Sequence, residues 1–244
     1  MAASNKPKLV KGRGVEDWYA GDYNQDSKRK AVHIYWQKGY NFLRKFNRLR
    51  KPLKLLDIGC DNGILSSRLK LLGYDVYGLD IRKKEVAHAR KLGIKAVVGS
   101  AEKKFPFGSG FFDAAFAGDI IEHLYDTDFF IQEVHRILKQ GGVFVVTTPN
   151  LASLSNRIRL LFGRIPVGSE IRLGKDMAGH IRNYTFPELE SQLREHGFSI
   201  VGKVSSNVMF PVKYKFPVLT PLAIWLGDYA SDIGSHIIIA ARKN

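Results

Sequence analysis

The feature that most constrains this chain is a strand–turn–helix unit. It reads Leu55-Leu56-Asp57-Ile58-Gly59-Cys60-Asp61-Asn62-Gly63-Ile64-Leu65, and a second apolar run after it ends on an acid, Gly78-Leu79-Asp80. Gly59 permits a sharp turn and a close approach of backbone to a ligand, and Gly63 lets the next helix begin tight against it. A carboxylate at the end of the second strand, as Asp80 is, can accept both hydroxyls of a ribose. A dinucleotide site would need a second bare glycine two positions after Gly59, where a pyrophosphate lies. Asp61 stands there instead and places a negative charge in the way. The unit therefore suits a nucleoside ligand without phosphate, or else a purely structural turn.

Beyond Pro52, short apolar runs alternate with helical patterns. Strands are expected at Lys54–Ile58, Asp75–Leu79, Ala96–Val98, Asp113–Ala117, Val143–Thr148, Phe198–Val204 and His236–Ala241. Helices are expected at Gly63–Leu72, Lys83–Leu92, Asp126–Leu138 and Pro187–His196. This order predicts an α/β fold: a Rossmann-like, doubly wound sheet of about seven strands, mostly parallel with the last antiparallel. Residues 52–244 form the domain, and residues 1–51 form an N-terminal cap with an amphipathic helix over Lys30–Arg48. Two segments break the alternation, 149–185 after the fifth strand and 205–235 after the sixth. Both leave from carboxyl ends of strands, where ligands of open α/β sheets bind, and both are too apolar for disorder. They read as lids.

Charge narrows the partners. The net charge is +15, and from Ser27 to Leu56 there is no acid. The basic stretch 28–51 suits an anionic membrane surface or a nucleic acid, or forms a solvated helix face. A single cysteine excludes a disulfide framework, and no apolar run is long enough for a membrane span. A cytoplasmic location is expected, peripheral to a membrane if the basic stretch binds one.

Taken together, these segments resemble the class I S-adenosylmethionine-dependent methyltransferases of the small-molecule type, over about residues 53–242. Leu55–Gly63 is similar to the first family motif and Gly78–Asp80 to the second. Gly99-Ser100-Ala101-Glu102-Lys103-Lys104-Phe105-Pro106-Phe107 is similar to the segment that borders the adenine. Asp119-Ile120-Ile121-Glu122-His123-Leu124 is similar to the fourth-strand motif, and Gly141-Gly142 through Thr148-Pro149-Asn150 to the fifth. The resemblance implies S-adenosyl-L-methionine as cofactor, S-adenosyl-L-homocysteine as product, and no metal. It implies that Asp57 and Gly59 hold the methionine end, Asp80 the ribose and the Ala101 backbone the adenine edge, with Asp119 and Ile120 flanking the sulfonium. Cys60, Gly63, Ile81 and Glu102 lie in the same motifs and join the candidate set. Tyr19 and Tyr23 fall where the family often caps the cofactor, and packing is their alternative role. Two positions depart from the family pattern: Asp61, often glycine, and Ser100, often an acid.

The acceptor is less constrained. Methyl transfer to a hydroxyl gains from a base, and imidazole is the natural one near neutrality. His123 follows the fourth-strand motif. His180 lies in Gly179-His180-Ile181-Arg182-Asn183-Tyr184-Thr185-Phe186-Pro187-Glu188-Leu189, which is similar to a stretch of the ubiquinone-biosynthesis O-methyltransferases. Both are candidate catalytic residues, with a structural role as the alternative for each. Residues 151–164 carry an apolar stripe at positions 151, 154, 158, 161 and 162 with arginines beside it, as a helix lying on anionic lipid would, or a lid helix packed on its own domain. The resulting expectation is O-methylation of a small, apolar or lipid-linked acceptor, a quinol, phenol or glycan. An RNA methyltransferase is less favoured, because no RNA-binding motif is appended. A catalytically inert binding module is the alternative from another class.

Overall fold

Along the strand Leu55–Ile58 every residue is buried, and along Ala114–Ala117 likewise. Unbroken burial of that kind requires both faces of a sheet to be covered, which parallel strands with crossover helices achieve. The computed structural model describes residues 27–47, 52–169, 179–208, 225 and 229–244. Within them the element order is α1 (Ser27–Phe46), β1 (Lys54–Ile58), α2 (Ile64–Leu71), β2 (Asp75–Asp80), α3 (Lys83–Lys91), β3 (Lys95–Val98), β4 (Phe112–Gly118), α4 (Thr127–Ile137), β5 (Leu138–Pro149), α5 (Leu154–Leu161), α6 (Phe186–Glu195), β6 (Phe198–Ser205) and β7 (His236–Lys243).

The sheet has seven strands in the order β3-β2-β1-β4-β5-β7-β6. β2, β1, β4 and β5 pair in parallel, whereas β7 runs antiparallel to both β5 and β6. The strand order reverses beside β1, so the loops after β1 and β4 open a crevice at their carboxyl ends. Side chains alternate between two cores. Ala115, Ala117, Phe144 and Val146 face one layer, which α4 and α6 close with Phe130, Val134, Leu189 and Leu193. Ala114, Phe116, Val143 and Val145 face the other, closed by Leu43, Leu69, Val86 and Ala89 from α1, α2 and α3.

The basic first helix packs as its apolar stripe requires. A Cβ on Gly39 would lie 3.2 Å from Phe116, so α1 sits close on the middle of the sheet, and the Tyr40 and Phe116 rings meet at 5.2 Å. Arg44 and Lys45 on its last turn are exposed.

Two expectations need correction. β5 begins at Leu138 rather than Val143, and its register to β4 skips from Phe112↔Leu138 to Ala114↔Val143. Gly141, at φ +74, absorbs the extra residues as a bulge that hydrophobic periodicity does not reveal. The helix expected across 151–164 is only the eight residues of α5, and its buried residues are polar, Ser155 and Asn156. Leu161 and Phe162 are 80% and 73% exposed. The apolar stripe is therefore split: Leu151, Leu154 and Ile158 are half-buried, while its last two members face outward and Asn156 turns inward, bonding the Val167 amide and carbonyl.

The base of this insertion is closed by a bridge between Asn150 and Tyr184. Most of the 205–235 segment, and Tyr19 and Tyr23, lie outside the described residues. Among the described residues no helix is long and apolar enough to cross a membrane.

Candidate functional site

The turn after β1 is shaped by positive φ at Gly59 (+75°), Asp61 (+47°) and Gly63 (+80°). Gly63 has a second reason to lack a side chain: a Cβ would lie 2.7 Å from the Ala89 backbone of α3. Amides of Gly59 and Cys60 both donate to the Leu79 carbonyl, which ties the turn to the end of β2. Asp80 closes the arrangement, accepting the Asp61 amide on Oδ2 and the Arg82 amide on Oδ1, each at 2.9 Å.

Two hollows flank this turn. One, of about 260 Å³, is lined by Gly59, Asp80, Ile81, Ala101, Glu102 and Ile120, with His123 at its edge. The other, of about 60 Å³, is lined by Asp57, Cys60 and Asp61 together with Trp36 of α1. Most of the residues expected to hold a cofactor are thus brought to one crevice. Gly63 and Asp119 line neither hollow, Gly63 because it packs against α3, and Tyr19 and Tyr23 lie outside the described residues. Cys60 turns its sulfur toward the core, where a Cβ on Gly78 would touch it at 2.6 Å. Burial, with Asp57 and Asp80 near, pushes its thiol far up, so it stays protonated.

Asp57 is buried, and burial raises its carboxyl to about 7, with Asp80 adding to the rise and a 2.5 Å hydrogen bond from Ser66 Oγ opposing it. Such a group, held at the edge of ionisation beside an open hollow, suits a cationic partner. Ile81, 68% exposed, offers an apolar face at the mouth of the larger hollow. Ser100 caps its own turn by accepting the Glu102 amide, and Glu102 itself accepts the Tyr125 amide at 2.7 Å. Asp119, at φ +53, accepts from Thr147 Oγ1 at 2.9 Å.

The insertion after β5 doubles back onto this crevice. Ile181 and Arg182 amides donate to the Glu122 carbonyl at 2.9 and 3.0 Å. The rings of His123 and His180 meet edge to face, 4.9 Å apart. His123 Nδ1 lies 3.1 Å from the Gly179 carbonyl, and His180 Nδ1 2.9 Å from that of Gly168. A carbonyl can only accept, so Nδ1 of each ring carries the proton in this contact, which in the neutral tautomer leaves Nε2 as the accepting nitrogen.

Three residues escaped sequence reasoning, two beside these histidines and one in the smaller hollow. Glu122 is buried, and burial, then Asp119, push its carboxyl well above the usual range while Thr148 Oγ1 donates to it at 3.0 Å. His236, the first residue of β7, lies opposite Pro149. Burial lowers its pKa, with Asp119 opposing and His180 adding to that shift. Trp36 comes from a helix far away in sequence. Only Glu122 had a local signal, its place beside His123. Glu122, His123 and His180 hold ligand-capable atoms within 4.8 Å of one another, a mixed set that could hold a divalent cation.

A family model described as a methyltransferase domain matches residues 56–146. The ubiquinone biosynthesis O-methyltransferase of Pelagibacter ubique is 38% identical over 165 residues, which are 62% of this chain and 67% of that protein. The chain belongs to the S-adenosylmethionine-dependent methyltransferases. The mitochondrial ubiquinone biosynthesis O-methyltransferase of Mus musculus is 30% identical over 168 residues, spanning only 43% of its own length. Among solved structures, an S-adenosylmethionine-dependent methyltransferase from Thermotoga maritima superposes with a TM-score of 0.59 at 20% identity, covering 89% of this chain and 94% of that one. One from Mesorhizobium loti gives 0.58 at 18% identity, covering 86% and 98%. These two likenesses carry the fold. The crevice geometry fits the family's cofactor: carboxylates stand at both ends, and no phosphate-binding glycine pair lies between them.

Proposed function

We propose that this methyltransferase transfers the methyl group to an oxygen of a small apolar acceptor, a quinol or phenol. Asp57 and Gly59 take the methionine end of the cofactor, Asp80 the ribose, and Ile81 with the Ala101 backbone the adenine. Bound adenosylmethionine supplies a methyl group on a positively charged sulfur, open to in-line attack. The protein aligns the acceptor hydroxyl and takes its proton as the carbon–oxygen bond forms, while the carbon–sulfur electron pair leaves with sulfur. The observation that carries this reading is the His123–His180 pair, each ring fixed by a backbone carbonyl so that Nε2 accepts, one of them on the wall of the larger hollow. The named activity of the Pelagibacter and mouse relatives supports oxygen as the acceptor atom.

The exposed Leu161 and Phe162, with Arg157, Arg159 and Arg164 near them in the chain, support a second part of the reading. The protein works in the cytoplasm at the surface of an anionic membrane, where a lipid-linked acceptor resides. Adenosylhomocysteine release is measured with a short-chain prenylated catechol, a free sugar and bulk RNA, alongside flotation with anionic and neutral vesicles. Release with the catechol, at least tenfold slower in His180→Ala or His123→Ala at unchanged cofactor affinity, is the expected outcome. Release with RNA alone, or full activity in both variants, would sink the proposal. Failure to float with anionic vesicles would remove its membrane part.

A further inference from the structure

Asp61 combines two unusual properties. It holds a left-handed conformation that side chains rarely adopt, and its carboxylate accepts from Arg82 Nη2 at 2.6 Å. Arg82 also reaches Asp80, through its amide at 2.9 Å and its Nε at 3.4 Å, both on Oδ1. A carboxylate offers four lone-pair positions. On Asp80 the Asp61 amide takes one on Oδ2, and the Arg82 amide and Nε take two on Oδ1. One position is left, and the two hydroxyls of a ribose need two. The Nε contact is the longest of the three and the only one made by a side chain. It is the one that can yield, and the short bond to Asp61 keeps hold of the guanidinium when it does.

We infer that Asp61 and Arg82 are cofactor-specificity residues. Arg82 competes with the ribose for Asp80, while Asp61 draws the guanidinium aside and cancels its charge beside a cationic ligand. The inference rests on Asp80 as the ribose acceptor. Adenosylmethionine and adenosylhomocysteine share that ribose and differ by one sulfonium charge. An uncancelled Arg82 therefore weakens the charged donor more than the neutral product. Both side chains are about half exposed, so solvent screening keeps the effect modest and dependent on salt.

The test is titration calorimetry of both ligands against the full-length protein and four variants: D61N, R82M, the double variant and D80A. D61N is expected to weaken adenosylmethionine about three- to tenfold at low salt, and adenosylhomocysteine by less than half that factor. Adding R82M to D61N restores adenosylmethionine binding to within about twofold of wild type, since the charge that needed cancelling is gone. R82M alone binds as tightly as wild type, or more tightly. Unaltered affinity in D61N, a double variant as weak as D61N, or weakened binding in R82M alone would each overturn the inference. Full affinity in D80A removes the ribose assignment and the inference with it. Weak binding in D80A beside normal D61N removes the inference alone.

Discussion

Replacing Asp57 with asparagine should make the protein more stable and a worse binder of its cofactor. The carboxyl is buried, and burial first, then the charge of Asp80, lift it from 3.8 to about 7. At about 1.4 kcal/mol per pH unit, holding that group ionised above pH 7 costs the folded state up to about 4 kcal/mol. The folded pKa lies above the unfolded one, so this destabilisation is absent below pH 3.8, grows as pH rises and is complete above about 7. Asparagine keeps an oxygen to accept from Ser66 Oγ, but it brings an amide NH₂ whose burial offsets part of the gain. A net gain of about 1–3 kcal/mol at pH 8 is expected, or several degrees in melting temperature for a domain of this size. Urea denaturation of wild type and Asp57→Asn at pH 4, 6 and 8 measures it. At pH 4 the variant should be the less stable of the two, by about the cost of the buried amide NH₂, and the order should reverse by pH 8. Adenosylmethionine affinity of the wild type should rise as pH approaches 7 and then level, while the variant binds at least tenfold more weakly at pH 8, having lost one charge-assisted contact. A variant no more stable than wild type at pH 8, or a gap that does not change with pH, would refute the reasoning.

Two further outcomes follow from the packing. Gly63→Ala adds a Cβ 2.7 Å from the Ala89 backbone at φ +80, and should lower stability by at least about 2 kcal/mol, read from the urea midpoint. Asn150→Ala removes donors to the Asp232 and Gly234 carbonyls and the acceptor of the Ala152 amide. It should cost about 3 kcal/mol and speed hydrogen exchange at Leu151, which bonds Tyr184, before β1 and β2 lose protection.

The sequence by itself was enough for the alternating strands and helices of a mostly parallel sheet, and for the turn after β1 lying beside the end of β2. Both depend on local signals. Leu55–Leu65 and Gly78–Asp80 lie on neighbouring strands, and glycine positions dictate the turn between ligand and backbone. It also placed His123 and His180 among the candidates. It did not reveal that their rings meet, because that contact depends on residues 179–182 folding back onto Glu122.

Tertiary structure alone decided three further matters. Trp36 joins Asp57 because α1 packs across the sheet, a contact between segments with no shared periodicity. His236 comes within electrostatic range of Asp119 and His180 because β7 runs antiparallel and begins at the carboxyl ends of its neighbours. Helical spacing marked the stripe at 151–162 but could not say which way it faced. The buried bonds of Asn156 to Val167 turn Leu161 and Phe162 outward, since an unpaired buried amide costs more than two exposed apolar side chains.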